Sequence, residues 1–405
     1  MRKKTLREIP ESRLRGRTVL VRVDFNVPLG EDGRVADDTR LERSLPTIRR
    51  LVDAGARVVL LSHLGRPGGK EVPALSLAPV AERLSTLLDR PVGFQGRSDG
   101  EAVRDASATL EDGDVVVLEN TRFHAGEKAN DPELAAAWAE PADLYVNDAF
   151  GAAHRAHAST EGVARAVRKE GREGEAVAGH LMEEEVHYLH EALTDPERPF
   201  LAVLGGAKIS GKIDVVRSLL SRVDRLLVGG AMANTFLKAL GLEVGQSMVE
   251  EDRVGTAREL LEEAGDRLMI PVDCVAAHQI EPGAETRTAA RTDVGPEERI
   301  GDIGPDTRGL FREEITRART VAWNGPVGVF EVEGFAAGTR AVARAVAGVA
   351  ERGGIAVVGG GDSAAAAERA GVADRVSHVS TGGGASLDLL AGAKLPGLEA
   401  LSDGG

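Results

Sequence analysis

Cysteine is nearly absent from the 405-residue chain: Cys274 stands alone, so no disulfide can close within the chain and nothing points to an oxidising compartment. It lies in the apolar run LMIPVDCVA, the setting of a buried, unreactive thiol and not of a nucleophile. Aromatic residues make up only 3% of the chain and the formal net charge is −14, which argues against nucleic acid as a partner, since that needs a basic face and usually stacking rings. No run of about 18 uncharged apolar residues exists, and MRKKTLREIP lacks the apolar stretch of a signal peptide, so a cytoplasmic protein away from membranes is expected. Lysine is scarce as well, 9 against 41 arginines, a bias that salt adaptation and a GC-rich genome would both produce.

What is present describes a soluble globular protein, 42% hydrophobic and 28% charged. The length suggests two domains of about 200 residues each. Apolar runs alternate with amphipathic segments along the whole chain, the signature of parallel sheets covered by helices. VLVRVDFNV, RVVLLSHLG, DVVVLENTR and LYVNDAFG read as strands in the first half; FLAVLGGAK, RLLVGGAMA, LMIPVD, TVAWNGPVG, IAVVGGGDS and VSHVSTGGG do so in the second. The expected fold is α/β, two doubly wound parallel-sheet (Rossmann-like) domains. Between them, GHLMEEEVHYLHEALTDPERP places Leu181, Met182, Val186, Leu189 and Leu193 at helical spacing and reads as a hinge helix, with an ordinary surface helix as the other reading.

Ligands of open α/β sheets collect at the carboxyl ends of strands. In VLVRVDFNVP, alternation puts Val19, Val21, Val23, Phe25 and Val27 on one apolar strand face and Arg22, Asp24 and Asn26 on the other. Further first-half strand ends carry His63 and Arg66 in SHLGRP, Arg122 in ENTRFH, and His154, Arg155 and His157 in AAHRAH, with Arg40 in the loop after the first strand. One arginine after one strand is ordinarily a solvated surface residue, but several at successive strand ends of an acidic protein form a basic cleft for a small polyanion. The histidines could instead ligate a metal, but they come with no cysteine and few spaced carboxylates.

Second-half strand ends carry glycine, which lets backbone amides approach phosphates. GAKISGKI at 206–213 nearly matches the P-loop pattern, but Ile213 stands where a Mg²⁺-binding hydroxyl belongs. Lys208 and Lys212 remain, four apart on one helical face, and Asp362 after GGG can supply a metal ligand through nucleotide phosphates. A dehydrogenase would need a GxGxxG with its following acidic residue, which is not found. A nonenzymatic two-lobed anion receptor would need an export signal and would have no use for Lys208 or Asp362.

RVDFNVP, SHLGRP, ENTRFH, VNDAFGAAHRAH, GGAKISGKI, GGAMANTFL, WNGPVGVFE, GGGDS and STGGGAS, in this order over nearly all of the chain, resemble the phosphoglycerate kinase family. The resemblance implies reversible phosphoryl transfer between 1,3-bisphosphoglycerate and ADP, giving 3-phosphoglycerate and MgATP, in glycolysis and gluconeogenesis. It implies a 3-phosphoglycerate site of Asp24, Phe25, Asn26, Arg40, His63, Leu64, Gly65, Arg66, Arg122 and Arg155. It implies an ATP/ADP site of Lys208, Lys212, Asn324, Glu331, Gly360, Gly361, Asp362 and Ser363, with Glu331 on the ribose and Asp362 on Mg²⁺. Arg40, Lys208 and Lys212 would stabilise the transferring group, with amides near Gly382 to Gly384, in a site completed by domain closure. Arg22 is expected to be structural, paired with a neighbouring carboxylate. The implied organisation is an N-terminal domain at 1–179, a hinge helix at 180–196, a nucleotide domain at 197–388 and a tail at 389–405. The tail returns to the first domain after LPGL breaks the preceding helix at Pro396, and the protein is expected to be a monomer. The chain departs from the family pattern at His180 and Glu184 of the hinge, at Gln246, and at Ile300 and Gly301 before the DIGP run.

Overall fold

The computed structural model describes residues 2–169, 174–191, 195–209 and 212–404. The chain divides into two compact units, Met1–Val186 with Lys394–Gly405, and His187–Ala393.

The first unit is built on six parallel strands, β1 (Thr18–Arg22), β2 (Arg57–Leu61), β3 (Gly93–Gln95), β4 (Val115–Leu118), β5 (Leu144–Asn147) and β6 (Glu175–Ala178), in the order β3-β4-β2-β1-β5-β6. The central strands TVLVR, RVVLL, VVVL and LYVN are apolar on both faces because helices cover both. On one face the helix Thr39–Asp53 packs Leu41, Ile48 and Leu51 into the cluster that holds Val19 and Val21 of β1. The strand order reverses between β1 and β5, so the crevice at their carboxyl ends is the natural place for a ligand.

Three expectations change in this unit. The strand in VLVRVDFNVP ends at Arg22, and DFNVP is a loop. Val19, Val21, Val23, Phe25 and Val27 nevertheless all enter one hydrophobic cluster, so the apolar side was right and the strand too long. Short edge strands β3 and β6 were not foreseen; GFQ and EAVA are too brief to show a period. Pro396 does not break a running helix, because Gly383–Leu390 has already ended, and it instead opens the one-turn helix Pro396–Glu399. That tail pairs with the opposite end of the chain: Lys4 N donates to Ser402 O (2.8 Å) and Gly404 N to Arg2 O (2.9 Å), with Leu395 and Leu401 buried.

The second unit has six parallel strands, β7 (Phe200–Leu204), β8 (Arg225–Val228), β9 (Leu268–Met269), β13 (Thr320–Asn324), β14 (Ile355–Gly359) and β15 (His378–Ser380), in the order β15-β14-β13-β7-β8-β9. A separate antiparallel sheet, β11 (Arg287–Ala290), β10 (Asp273–Ala277) and β12 (Arg299–Ile303), was not anticipated. The run LMIPVDCVA divides between β9 and β10, with Pro271 in the gap. Cys274 is buried in β10, and burial pushes its thiol up to about 12, which keeps it inert at neutral pH. The displaced glycine before DIGP has a packing reason: a Cβ at Gly301 would collide with the Phe335 ring.

The expected hinge helix at 180–196 is not one α-helix. His180–Val186 is α-helical and the coil widens to a π turn over His187–Glu191; residues 192–194, with Leu193, lie outside the described residues. Glu184 of this segment pairs with Arg43 at 3.8 Å, and His180 Nδ1 lies 3.6 Å from Glu183. Gln246 accepts a bond from Arg299 (3.0 Å).

Candidate functional site

The loops after β1, β2, β4 and β5 of the first unit converge on one cleft of about 160 Å³, together with Arg40, which was expected in a loop but stands in the first turn of the helix Thr39–Asp53. Of the ten residues expected to bind substrate there, Asp24, Asn26, Arg40, His63, Gly65, Arg66, Arg122 and Arg155 line it. Phe25 and Leu64 do not. Both are buried in the core, and each fixes its loop through its amide, Phe25 to Ser62 Oγ (2.8 Å) and Leu64 to Asn120 Oδ1 (3.2 Å). Gly151 and Ala152 also line the cleft and were not singled out from the sequence, although AFGAAH is a run of small residues where a ligand needs room.

The cleft is held open by hydrogen bonds between loops. Asn26 Oδ1 accepts from Gly65 N (2.8 Å), and Arg122 Nη1 donates to Gly65 O (2.7 Å). Buried Asn120 accepts from the amides of Leu64 and Arg122 and donates to the carbonyls of Leu64 and Leu75. Asn120 was missed, because nothing in its local sequence separates a hub from a surface asparagine.

Charge in the cleft is lopsided. Asp24 accepts from Arg40 Nη1 at 2.6 Å. Burial alone would raise its carboxyl, but Arg40 and the neighbouring cations hold it below the usual range, so it is ionised at neutral pH. Burial, aided by Arg22, Arg122 and Arg40, pushes His63 well below the usual imidazole value against the pull of Asp24, leaving it neutral. Arg122 is lowered to about 10 by burial and by Arg22 and Arg155, and it stays charged at neutral pH. Among the described residues, Arg66, Arg122 and Arg155 make no ion pair with a carboxylate. Three cations facing one ionised acid make a cradle for an anion of high charge.

Arg22 differs from its expectation. It is 1% exposed, and its partners are Ser159 Oγ (2.8 Å), the Val23 carbonyl and His63 Nδ1 (2.9 Å), with no carboxylate in direct contact among the described residues. The carboxylate stands one residue further on, where Ser159 Oγ donates to Glu127 at 2.6 Å.

In the second unit the loops after β7, β13 and β14 meet backbone to backbone. A Cβ on Gly205 would strike the carbonyl of Pro326, and Gly360 adopts a φ of +98°, so neither position admits another residue without strain. Lys212 lies just before the helix Ile213–Leu220, so Lys208 and Lys212 do not share a helical face; Ser210 and Gly211 of the GAKISGKI run lie outside the described residues. Lys208 is exposed in the loop, whereas Lys212 Nζ turns back to Gly205 O (2.7 Å) and Asn324 Oδ1 (3.2 Å). Burial lowers Lys212 to about 8, with Asp362 pulling the other way.

Asn324 is engaged at both ends, its Nδ2 donating to Gly359 O (2.7 Å), and buried Ser363 accepts from Gly325 N (2.6 Å). Gly361 and Asp362 stand exposed at the start of the helix Gly361–Arg369, and Glu331 is exposed near β13. Amides at that helix start, the charge of Lys212 and the single carboxylate of Asp362 suit a polyphosphate that brings its own cation. Among the described residues no three His, Cys, Asp or Glu side chains gather to hold a metal by themselves.

The family model for phosphoglycerate kinase matches residues 9–393. The chain is similar to the phosphoglycerate kinase of Rubrobacter xylanophilus, 55% identical over 98% of both chains, and to that of Chlorobaculum tepidum, 53% identical over the whole of both. Its fold is similar to the solved structure of phosphoglycerate kinase from Coxiella burnetii, with a TM-score of 0.84 and 40% identity over 98% of each chain.

Proposed function

The chain belongs to the phosphoglycerate kinase family and transfers a phosphoryl group in glycolysis, and we propose that the arginine-lined cleft of the first unit binds 3-phosphoglycerate and the glycine loops of the second bind the nucleotide. The observation that supports this reading best is the gathering of eight expected residues around one cleft, seven from the segments after four strands and Arg40 from the helix Thr39–Asp53. The ligand's phosphate and carboxylate suit Arg66, Arg122 and Arg155, and its hydroxyl suits Asp24, the ionised acceptor in that wall.

Phosphoryl transfer asks the protein for position and charge neutralisation more than for covalent chemistry. The attacking and leaving oxygens are both ionised at neutral pH, so no general base is assigned. Arg40, aimed by its bond to Asp24, meets the charge on the moving group from one side. Lys208 and Lys212 meet it from the other, with the amides near Gly382 to Gly384. Glu331 accepts from ribose hydroxyls, while Gly360, Gly361 and Ser363 shape the phosphate loop and Asn324 holds Lys212. Mg²⁺ supplies charge neutralisation on the nucleotide phosphates, and Asp362 is the residue that would hold it. The cytoplasm is the proposed location and a monomer the proposed state.

Calorimetric titration tests the reading. Wild-type protein is expected to bind 3-phosphoglycerate without nucleotide, and Arg122→Ala to lose that binding while keeping its affinity for MgATP. Equal loss of both ligands would overturn the division of labour.

A further inference from the structure

Behind the wall of the cleft lies a chain of buried groups whose hydrogen-bond directions are fixed by charge. Glu127 is 0% exposed. Its Oε2 accepts from Ser159 N (2.9 Å), and its Oε1 from Ser159 Oγ (2.6 Å) and Thr121 Oγ1 (3.2 Å). Ser159 Oγ accepts in turn from Arg22 Nε (2.8 Å). A serine has one proton to give and a guanidinium can only donate, so that proton must go to Glu127. Arg22 then reaches His63 Nδ1 at 2.9 Å. Because Arg22 cannot accept, Nδ1 must, and an imidazolium would set two donors against each other.

We propose that Glu127, Ser159 and Arg22 are positioning residues that hold His63 as the neutral tautomer protonated on Nε2, so that the nitrogen left for substrate is a hydrogen-bond donor. The proposal rests on the reading of the cleft as the 3-phosphoglycerate site. The other acid near His63 does not compete: Asp24 Oδ1 lies 3.9 Å from His63 Nδ1, beyond hydrogen-bond reach, while the other oxygen of that carboxylate, Oδ2, accepts from Arg40. His157 Nδ1 is likewise 3.9 Å from Glu127. Burial beside Arg22, Arg40 and Arg122 opposes a charge on His63, in keeping with this tautomer. A neutral donor adds a directed bond to the anion without adding a further cation to a wall already rich in them. The relay also ties the loop after β4 to the segment after β5, since Thr121 and Ser159 share one carboxylate.

The test is imidazole nitrogen NMR on the full-length protein at pH 7, without ligand. His63 is expected to show a proton-bearing Nε2 and an unprotonated Nδ1; a proton on Nδ1, or an imidazolium, would overturn the proposal. Ser159→Ala should shift His63 toward a tautomer mixture and raise KM for 3-phosphoglycerate by about three- to tenfold, the worth of one hydrogen bond. The KM for ATP should stay unchanged, and Ser159→Thr, which keeps the hydroxyl, should restore both readouts. A Ser159→Ala protein with unaltered tautomer and KM would sink the relay. If Ser159→Ala does not fold, the wild-type spectrum decides alone. Adding 3-phosphoglycerate should move the Nε2 resonance; no movement would overturn the donor role through the site assignment, while the tautomer stays separately readable.

Discussion

The two units carry their candidate ligand-binding residues after the strands of similar parallel sheets, but one offers side chains and the other backbone. In the first, long side chains line the cleft: Arg40, held by Asp24, with Arg66, Arg122 and Arg155, on loops that Asn26 and Asn120 tie through their backbone. In the second, the backbone does the work, and glycines let strand-end loops touch where any Cβ would collide. The difference follows from the ligands each half is proposed to take. A small polyanion has to be surrounded by charges at defined angles, which arginine forks supply. A nucleotide carries its own cation and presents phosphates to amides, which need closeness more than charge.

The sharpest way to break this comparison is to remove the cation assigned to the transition state. Arg40→Ala is expected to lower kcat by about a hundredfold or more, roughly 3 kcal/mol, with a small change in either KM. Steady-state kinetics decides it: a near-normal kcat with a raised KM for 3-phosphoglycerate alone would make Arg40 one more binding arginine. Asp24 would then be aiming a ligand contact only.

Asp362→Asn probes the other half with a smaller expected effect. The residue is exposed at a helix start, so the fold should survive. The KM for MgATP should rise by about tenfold, near 1.4 kcal/mol, while calorimetric binding of metal-free ADP changes little. Equal losses for the two nucleotides would mean that Asp362 supports the loop and not the cation.

A third effect separates the units by pH. Lys212, lowered to about 8 by burial, loses its charge as pH rises through that value, and with it the attraction for phosphates. Between pH 7 and 8.5, kcat/KM for ATP should therefore fall roughly fourfold, whereas 3-phosphoglycerate binding, carried by arginines that stay charged, should not. Lys212→Arg should flatten the alkaline limb, and a limb that persists in that variant would assign it to another group.

Much of this division was legible in the sequence, and the reason is local. Strands such as VVVL and FLAVL are unbroken runs of mostly large apolar residues that show two-sided burial, and the residues after them follow at once in the chain. What escaped was either short or non-local. β3 and β6 are edge strands of three and four residues, and β10 to β12 form a sheet of small and polar residues with no clear period. Lys208 and Lys212 were placed on a helix that begins only at Ile213. Glu127 follows the ENTRFH run by three residues and looks like any surface acid, because its partner Ser159 is 32 residues away and Arg22 is 137 residues from Ser159. Side-chain function that depends on one strand's end can be read from a sequence; function relayed through three elements has no spacing to read.

The smallest expected effect concerns how each unit fastens the segment where the tail begins. In the second unit Ser218 Oγ donates to the carbonyl of Ala391 at 2.5 Å. In the first, Arg168 Nη1 donates to the carbonyls of Ala400 (2.6 Å) and Leu401 (2.9 Å), alongside the backbone pairing of Lys4 with Ser402. Leu395 and Leu401 are buried and Arg168 is exposed, so the tail's anchoring is assigned mainly to apolar burial. Arg168→Ala should then cost only about 1 kcal/mol, seen as a fall in the melting temperature of about 2–4 °C, with kcat and both KM values unchanged. Ser218→Ala should cost a similar amount. A much larger loss for Arg168→Ala, with 3-phosphoglycerate affinity falling too, would show that the tail shapes the cleft of the first unit and that its anchoring is not confined to stability.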